Sequence, residues 1–309
     1  MNKTVTYAAA RAVLLIVGLA LTVGGCSVRQ YAINSASDAL AGSGNSFARD
    51  NDPELIREAA PFSLKAMESM LAENPNHIGL LTATSRGFTQ YTYVFVQQDG
   101  EELEDKDIKA ATVRFDRARL LYARARDYGL RGLEVAHPGI GAKLHEDPRA
   151  AAAQARRDDV PLLYWTAASW GSLIGLSKDD PGTVAQLPMT EALIDRALVL
   201  DEAWDAGAIH TFLISYELVR QGKKGDPVAR SQSHFERAVQ LSDGQKAAPY
   251  VAMAESVAVS RQDRAQFESL LKHALSIDVN ARPDWRLSNI VMQQRARWLL
   301  SRTDELIAQ

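Results

Sequence analysis

Apolar residues recur at helical spacing along most of the chain after residue 50, and they predict a succession of α-helices. The segment from Pro161 to Leu176 is the most apolar, and it predicts a buried helix capped by Asp158 and Asp159. One face of this helix carries little side-chain bulk, because small residues recur at steps of three and four: Ala168, Gly171, Ser172 and Gly175. Such a face lets a second backbone approach closely.

Three other segments are less regular. Asp52 and Pro53 begin a strong helix, which Pro61 is expected to interrupt. The residues from Tyr91 to Val96 are β-branched and aromatic enough for a strand, but helical patterns on both sides and the lack of a pairing strand favour a helix. The acidic segment from Gln97 to Lys109 is predicted to be a solvated loop.

A short motif recurs three times in the second half of the chain. Its central alanines, Ala197, Ala238 and Ala274, are 41 and 36 residues apart, close to the tetratricopeptide period of about 34. In such repeats the alanine lies where the two helices of a pair touch. The chain is therefore predicted to be all-α, a tetratricopeptide-like helical-repeat array of stacked antiparallel helix pairs with one concave face.

The N-terminus has the charge and length of a secretory signal. Two basic residues precede an apolar run from Ala12 to Val23, which is short for a membrane span. Val23-Gly24-Gly25-Cys26 then forms a bacterial lipobox, and a core thiol is unexpected at the end of such a segment. We predict lipidation of Cys26, with residues 1–25 as signal peptide, 26–50 as tether and lead-in helix, and 51–309 as a single α-helical repeat domain.

Sorting and charge narrow the expected location and partners. Ser27 follows the cysteine where an aspartate would favour retention at the inner membrane, so the outer membrane, facing the periplasm, is predicted. Removal of the signal peptide takes away Lys3 and Arg11 and changes the formal net charge from −3 to −5. An acidic surface without a basic cluster argues against nucleic acid as a partner.

The chain lacks the motifs of common catalytic sites. It has no HExxH, no cysteine-based metal spacing and no glycine-rich phosphate loop, so no cofactor and no metal are predicted. His210 and Glu217 lie two helical turns apart and could form an acid–base couple, although a hydrogen-bonded structural histidine is commoner. We expect no enzymatic activity.

Several segments together resemble the signature of the TatT family, the lipoproteins associated with TRAP (tripartite ATP-independent periplasmic) transporters. They are residues 164–171, 178–181, 187–188 with 192–198, 207–210, 212–217 and 294–300. The resemblance implies a homo-oligomer, a trimer, of helical-repeat subunits with a cleft or pore. It also implies a periplasmic solute-binding protein as partner and a small hydrophobic or organic-acid ligand.

Aromatic density then selects candidate residues for the wall of a ligand cavity: Trp165, Trp170, Trp204, His210 and Tyr216. Packing of the same rings in the core is the simpler interpretation of this density. If they are core residues, the alternative function is a general scaffold lipoprotein whose repeat groove holds a peptide or an envelope-assembly protein.

Overall fold

A computed structural model describes residues 33–42, 44–220 and 222–308, and this part of the chain contains helices and turns but no strand. Its α-helices are α1 (33–42), α2 (Gly44–Ala48), α3 (Pro53–Glu73), α4 (Ile78–Thr92), α5 (Gln98–Leu103), α6 (Ile108–Ala136), α7 (Ile140–Glu146), α8 (Pro148–Ala152), α9 (Val160–Gly175), α10 (Pro181–Val184), α11 (Leu187–Leu200), α12 (Ala208–Tyr216), α13 (Pro227–Leu241), α14 (Ala248–Ala252), α15 (Arg264–Ser276), α16 (Arg286–Ser301) and α17 (Thr303–Leu306). Turns of π-helix cover Tyr93–Gln97 and Met253–Ala258, and 3₁₀ turns cover Arg157–Asp159, Trp204–Ala206 and Pro283–Trp285. The predicted signal peptide and Cys26 lie outside the described residues.

The expected all-α class is confirmed, and the ambiguous segment from Tyr91 to Val96 is helical, as favoured. Two predicted interruptions of the helical pattern are wrong. Pro61 lies inside the continuous helix α3, because a single buried stripe runs past it on both sides: Ile56, Ala60, Leu64, Met67 and Leu71. The segment from Gln97 to Lys109 is mostly helix α5 and the first turn of α6, joined by a short turn.

Of the two predicted helix starts, that of α3 is capped as expected and that of α9 is not. The Asp52 carboxylate accepts hydrogen bonds from the amides of Glu54 and Leu55, as expected for an N-cap. No side chain caps α9, so the predicted caps are wrong. The Asp159 carboxylate instead accepts from the Arg156 amide and contacts His137 Nε2, both at 2.7 Å.

Helix α6 lies between α4 and α9 and forms the spine of the first half. Glycines of α6 allow the close crossing with α9: a Cβ at Gly129 would lie 2.2 Å from Thr166 Oγ1, and one at Gly132 would lie 2.8 Å from Leu162 Cδ1. On the small face of α9, Gly171 receives the Phe212 ring, since its Cβ would lie 3.3 Å from Phe212 Cζ. The close crossing of α6 and α9 therefore depends on the glycines of α6 rather than on the small face of α9.

Helix pairs make up the second half of the molecule. Helix α11 packs on α9, α13 on α12, and α15 on α14 and the π-helical turn after it. The motif alanines Ala197, Ala238 and Ala274 are fully buried, one in the second helix of each pair. The predicted tetratricopeptide register of these pairs stays a prediction.

The chain curves until its last long helix, α16, contacts its first helices, α2 and α3. Two ion pairs connect the same parts of the chain: Arg49, which follows α2, binds Asp284 at 2.6 Å, and Arg295 Nη1 of α16 lies 2.7 Å from Glu101 Oε2 of α5. None of the helices that the structure describes combines the length and apolarity needed to cross a bilayer.

Candidate functional site

Three aromatic rings from two separate segments form what we call the aromatic cluster: Tyr164 and Trp165 of α9, and Trp204 of the 3₁₀ turn before α12. The Tyr164 ring centroid lies 4.9 Å from that of Trp165 and 4.7 Å from that of Trp204, and the two indoles are 6.4 Å apart. All three side chains are partly buried. The structure thus brings two of the five predicted cavity residues together and adds Tyr164.

A line of rings continues from this cluster along α12. Phe212 lies 6.5 Å from Tyr164 and 5.4 Å from Tyr216, ring centroid to ring centroid. The Tyr216 hydroxyl donates to Glu191 at 3.1 Å, and burial raises its pKa above the ordinary value. Tyr216 is connected to the cluster through Phe212, with its polar end already bonded.

Trp170 lies apart from the other predicted residues. Its side chain is buried, its indole Nε1 donates to Gln186 Oε1 at 2.8 Å, and the Arg126 guanidinium lies 5.6 Å from its ring. This placement matches the core interpretation of the ring.

His210 is also buried, and it belongs to a line of four polar side chains. Its Nδ1 lies 2.8 Å from Nδ1 of His234, and its Nε2 lies 3.3 Å from Glu202. His234 Nε2 in turn is 3.9 Å from Glu217. His210 and Glu217 therefore do not pair directly as the helical spacing suggested, because His234 of α13 lies between them.

Glu217 is the centre of a buried charge cluster between α11, α12 and α13. Its side chain has no solvent exposure; it accepts from Arg220 at 2.7 Å and Lys223 at 3.3 Å, and it also binds Arg230. These cations, outweighing the effect of burial, lower the pKa of Glu217 to about 2. Arg220 also binds Asp195. Glu217 and Arg220 therefore each have their charge balanced by residues of the opposite charge.

A left-handed turn connects the aromatic cluster to α12. Asp205, Ala206 and Gly207 have φ of 44°, 48° and 88° in succession, which is strained for the two residues that carry a Cβ. The turn brings Gly207 against α13, where a Cβ would lie 3.1 Å from Ala238 Cα. Lys246 holds the turn by donating to the backbone oxygen of Asp205 at 2.6 Å and to its carboxylate at 2.8 Å.

Two clefts open elsewhere on the described part of the molecule, and none of the five predicted residues lines either one. The first, of about 450 Å³, lies where α5, α12, α16 and the π-helical turn Met253–Ala258 meet, and its charged walls are Glu101, Glu104, Glu255, Arg295 and Arg302. The second, of about 480 Å³, lies beside α6 and the end of α9. Within residues 33–42, 44–220 and 222–308, no group of histidine, cysteine and acidic side chains has the arrangement of a metal site.

Sequence reasoning missed His234 and left Tyr164 out of the site. His234 lies on a different helix from His210, 24 residues away, and no periodicity within one helix links them. Tyr164 did carry a signal, the heavy aromatic load of α9, but its meeting with Trp204 depends on the turn at residues 204–207.

Comparison with known proteins identifies the family of this chain. A protein of Treponema pallidum (strain Nichols), described as an uncharacterized protein, is 26% identical over 297 residues, which cover 90% of this chain and 92% of that protein. Residues 49–307 match the family described as TRAP transporter T-component, abbreviated TAtT. The chain belongs to the TRAP transporter T-component family.

Proposed function

We propose that this protein is a periplasm-facing lipoprotein that partners the solute-binding protein of a TRAP-type transporter and binds a small organic ligand. Membership of the T-component family supports the link to the transport system. The lipobox at Cys26 and Ser27 supports anchoring to the outer membrane, and the TatT resemblance supports a homotrimer. The protein acts by binding and carries out no chemical step.

The aromatic cluster is the observation that supports ligand binding. Among the described residues, the Tyr164 hydroxyl and the indole N–H groups of Trp165 and Trp204 make no hydrogen bond, in contrast to Trp170 and Tyr216. Packed tyrosine and tryptophan residues usually bond their polar groups. A cluster of partly buried rings with free donors is typical of a surface that holds a small molecule with an apolar body and a polar end.

Crosslinking of the lipidated protein in cells, followed by mass spectrometry, tests the partner. We expect a periplasmic solute-binding protein together with self-crosslinks of trimer size. Recovery of envelope-assembly factors without a solute-binding protein would contradict the proposal and support a general scaffold.

A Cys26→Ser variant controls for the anchor in the same experiment. We expect it to lose incorporation of labelled fatty acid and to leave the outer-membrane fraction. Retention of both by the variant would contradict anchoring at Cys26.

A further inference from the structure

The first of the two clefts, which we call the α16 cleft, has both charged and apolar walls. Its volume is about 450 Å³, and α5 and the turn after it contribute Glu101 and Glu104. The apolar walls come from the C-terminal part of the chain: Val259, Trp298, Leu299 and Leu306. A concave site between separate elements, with apolar walls and a small number of polar groups, is where small molecules usually bind.

Both π-helical turns that the structure describes meet at this cleft. Glu255 and Ser256, in the turn Met253–Ala258, belong to its lining. Gln97 ends the other turn, Tyr93–Gln97, and its Nε2 donates to Glu101 Oε1 at 2.9 Å. Single π-helical turns within helical segments are frequent at functional sites. The backbone therefore marks the α16 cleft independently of its charges.

Two carboxylates in the wall of the cleft share one arginine. Arg295 Nε donates to Glu255 Oε2 at 3.0 Å, and Arg295 Nη1 lies 2.7 Å from Glu101 Oε2. The arginine side chain is 11% exposed, and those of Glu101 and Glu255 are 22% and 25% exposed. Burial raises the pKa of Glu255, and the nearby Arg295 only partly opposes this effect. The group of three thus carries one negative charge in excess.

Hydrogen bonding in the cleft leaves acceptors unfilled. Among the described residues, the buried Glu101 Oε2 and Arg295 Nη1 have no hydrogen-bond partner, because their contact is out of line for a hydrogen bond. Glu255 Oε1 is also unbonded in this part of the chain, but it is open to solvent. The exposed Glu104 carboxylate makes no hydrogen bond or ion pair there. Carboxylate oxygens that need a donor therefore remain available at the cleft.

The second arginine of the cleft is also engaged by carboxylates. Arg302 binds Asp105 and Glu305, and its guanidinium lies 4.9 Å from the Trp298 ring. Arg295 lies 4.4 Å from the same ring. Each arginine is thus held by two carboxylates and an aromatic ring, which makes both poor partners for an incoming anion. Charge complementarity favours a cation.

We propose that the α16 cleft binds a small organic cation, a primary ammonium ion with an apolar body. The ammonium group has three N–H donors and no acceptor, so it donates to Glu255 and Glu104 and supplies the missing positive charge. The apolar body packs against Leu299 and Leu306. This inference goes beyond the proposed function, because it concerns a second site that shares no residue with the aromatic cluster.

Three probes of the same carbon number separate charge recognition from apolar packing. At pH 7 hexan-1-amine is a cation, hexan-1-ol is neutral and hexanoate is an anion. Calorimetry measures their affinities, and tryptophan fluorescence reports on Trp298 in the cleft wall. We expect the wild-type protein to bind hexan-1-amine about tenfold more tightly than hexan-1-ol, and hexanoate more weakly than either.

Four variants make the test specific. Glu255→Gln removes the excess charge and is expected to weaken hexan-1-amine about tenfold without changing hexan-1-ol. Glu104→Gln, at an exposed and unbonded position, is expected to weaken the amine about threefold. It decides the test if the melting curve shows that Glu255→Gln does not fold. Glu102→Gln, exposed on α5 and outside the cleft lining, is the control and should change neither affinity. Trp298→Phe should remove the fluorescence response to the amine while calorimetry still detects binding.

The proposal is overturned if hexan-1-amine shows no saturable binding, which would leave the cleft to water, or if hexan-1-ol or hexanoate binds as tightly. Unchanged amine binding in both Glu255→Gln and Glu104→Gln would also overturn it. A fluorescence response that survives Trp298→Phe but is lost in Trp204→Phe would place the amine at the aromatic cluster instead. These measurements need no partner protein, so an absence of crosslinks to a solute-binding protein contradicts the transport partnership alone.

Discussion

Individual residues carry large energies where a charge is buried, and Glu217 is the clearest case. Replacement by glutamine leaves Arg220, Lys223 and Arg230 close together without their shared anion. We expect Glu217→Gln to lower the free energy of unfolding by about 3–5 kcal/mol, measured by urea denaturation. Glu236→Gln, on the exposed face of α13, is the control and should change it by less than about 0.5 kcal/mol. Equal effects of the two substitutions would contradict the role of the charge cluster.

The paired histidines make stability depend on pH. Burial lowers the pKa of His210 and lowers that of His234 to about 4, whereas an unfolded histidine titrates near 6.5. The unfolded chain therefore binds more protons between these values, so the stabilisation is complete above pH 6.5 and is lost as pH falls toward 4. We expect His234 to account for a loss of about 2 kcal/mol between pH 7.5 and 5.0.

A His234→Gln variant tests this dependence by urea denaturation at the two pH values. The variant should lose most of the difference in unfolding free energy, whereas His145→Gln, at an exposed position, should keep it. Glu217 titrates at lower pH, because its pKa is about 2, and does not contribute in this window. An unchanged pH dependence in His234→Gln would exclude the histidine pair as its source.

At the level of elements, the close crossing of α6 and α9 depends on a glycine, Gly129, which has no side chain. A methyl group at Gly129 would overlap Thr166 Oγ1 at 2.2 Å, and backbone on both sides would have to separate. We expect Gly129→Ala to destabilise the protein by about 1–3 kcal/mol. Gly175→Ala, near the end of α9 in open space, is expected to stabilise it slightly through helix propensity. Thermal melts of both variants check the opposite signs, and a gain in stability for Gly129→Ala would contradict the close crossing.

At the level of the whole molecule, Arg295 connects the last long helix, α16, to α5 in the first half of the chain. It lies beside Glu101 of α5 and donates from Nε to Glu255 at 3.0 Å, and Trp298 stacks on its guanidinium at 4.4 Å. We expect Arg295→Gln to lower the free energy of unfolding by about 2–3 kcal/mol, since Glu101 and Glu255 would then lose the cation between them. Hydrogen exchange of the α5 amides should accelerate as well. Arg297→Gln, exposed on the same helix, is the control, and slow exchange of α5 in both variants would contradict the closure.

The local sequence determined the helical class, most helix ends and the positions of the buried alanines. These properties depend on periodicity and on interactions within a few residues, as Asp52 shows by capping the amides that follow it. The same local reasoning went wrong at Pro61, because burial along the whole stripe of α3 outweighs the one hydrogen bond that a proline removes. The TatT resemblance predicted the family, which the residue patterns alone did not, and the family match over residues 49–307 confirms it.

Only the tertiary structure decided which candidate site residues meet. Trp165 and Trp204 come together because a left-handed turn redirects the chain before α12, and Trp170 on the same helix as Trp165 is directed into the core instead. The neighbour of His210 in the polar line, His234, comes from a different helix 24 residues away, and a pattern within one helix holds no information about it. Contacts between distant elements depend on how helices cross, and the crossing is set by side-chain packing throughout the molecule.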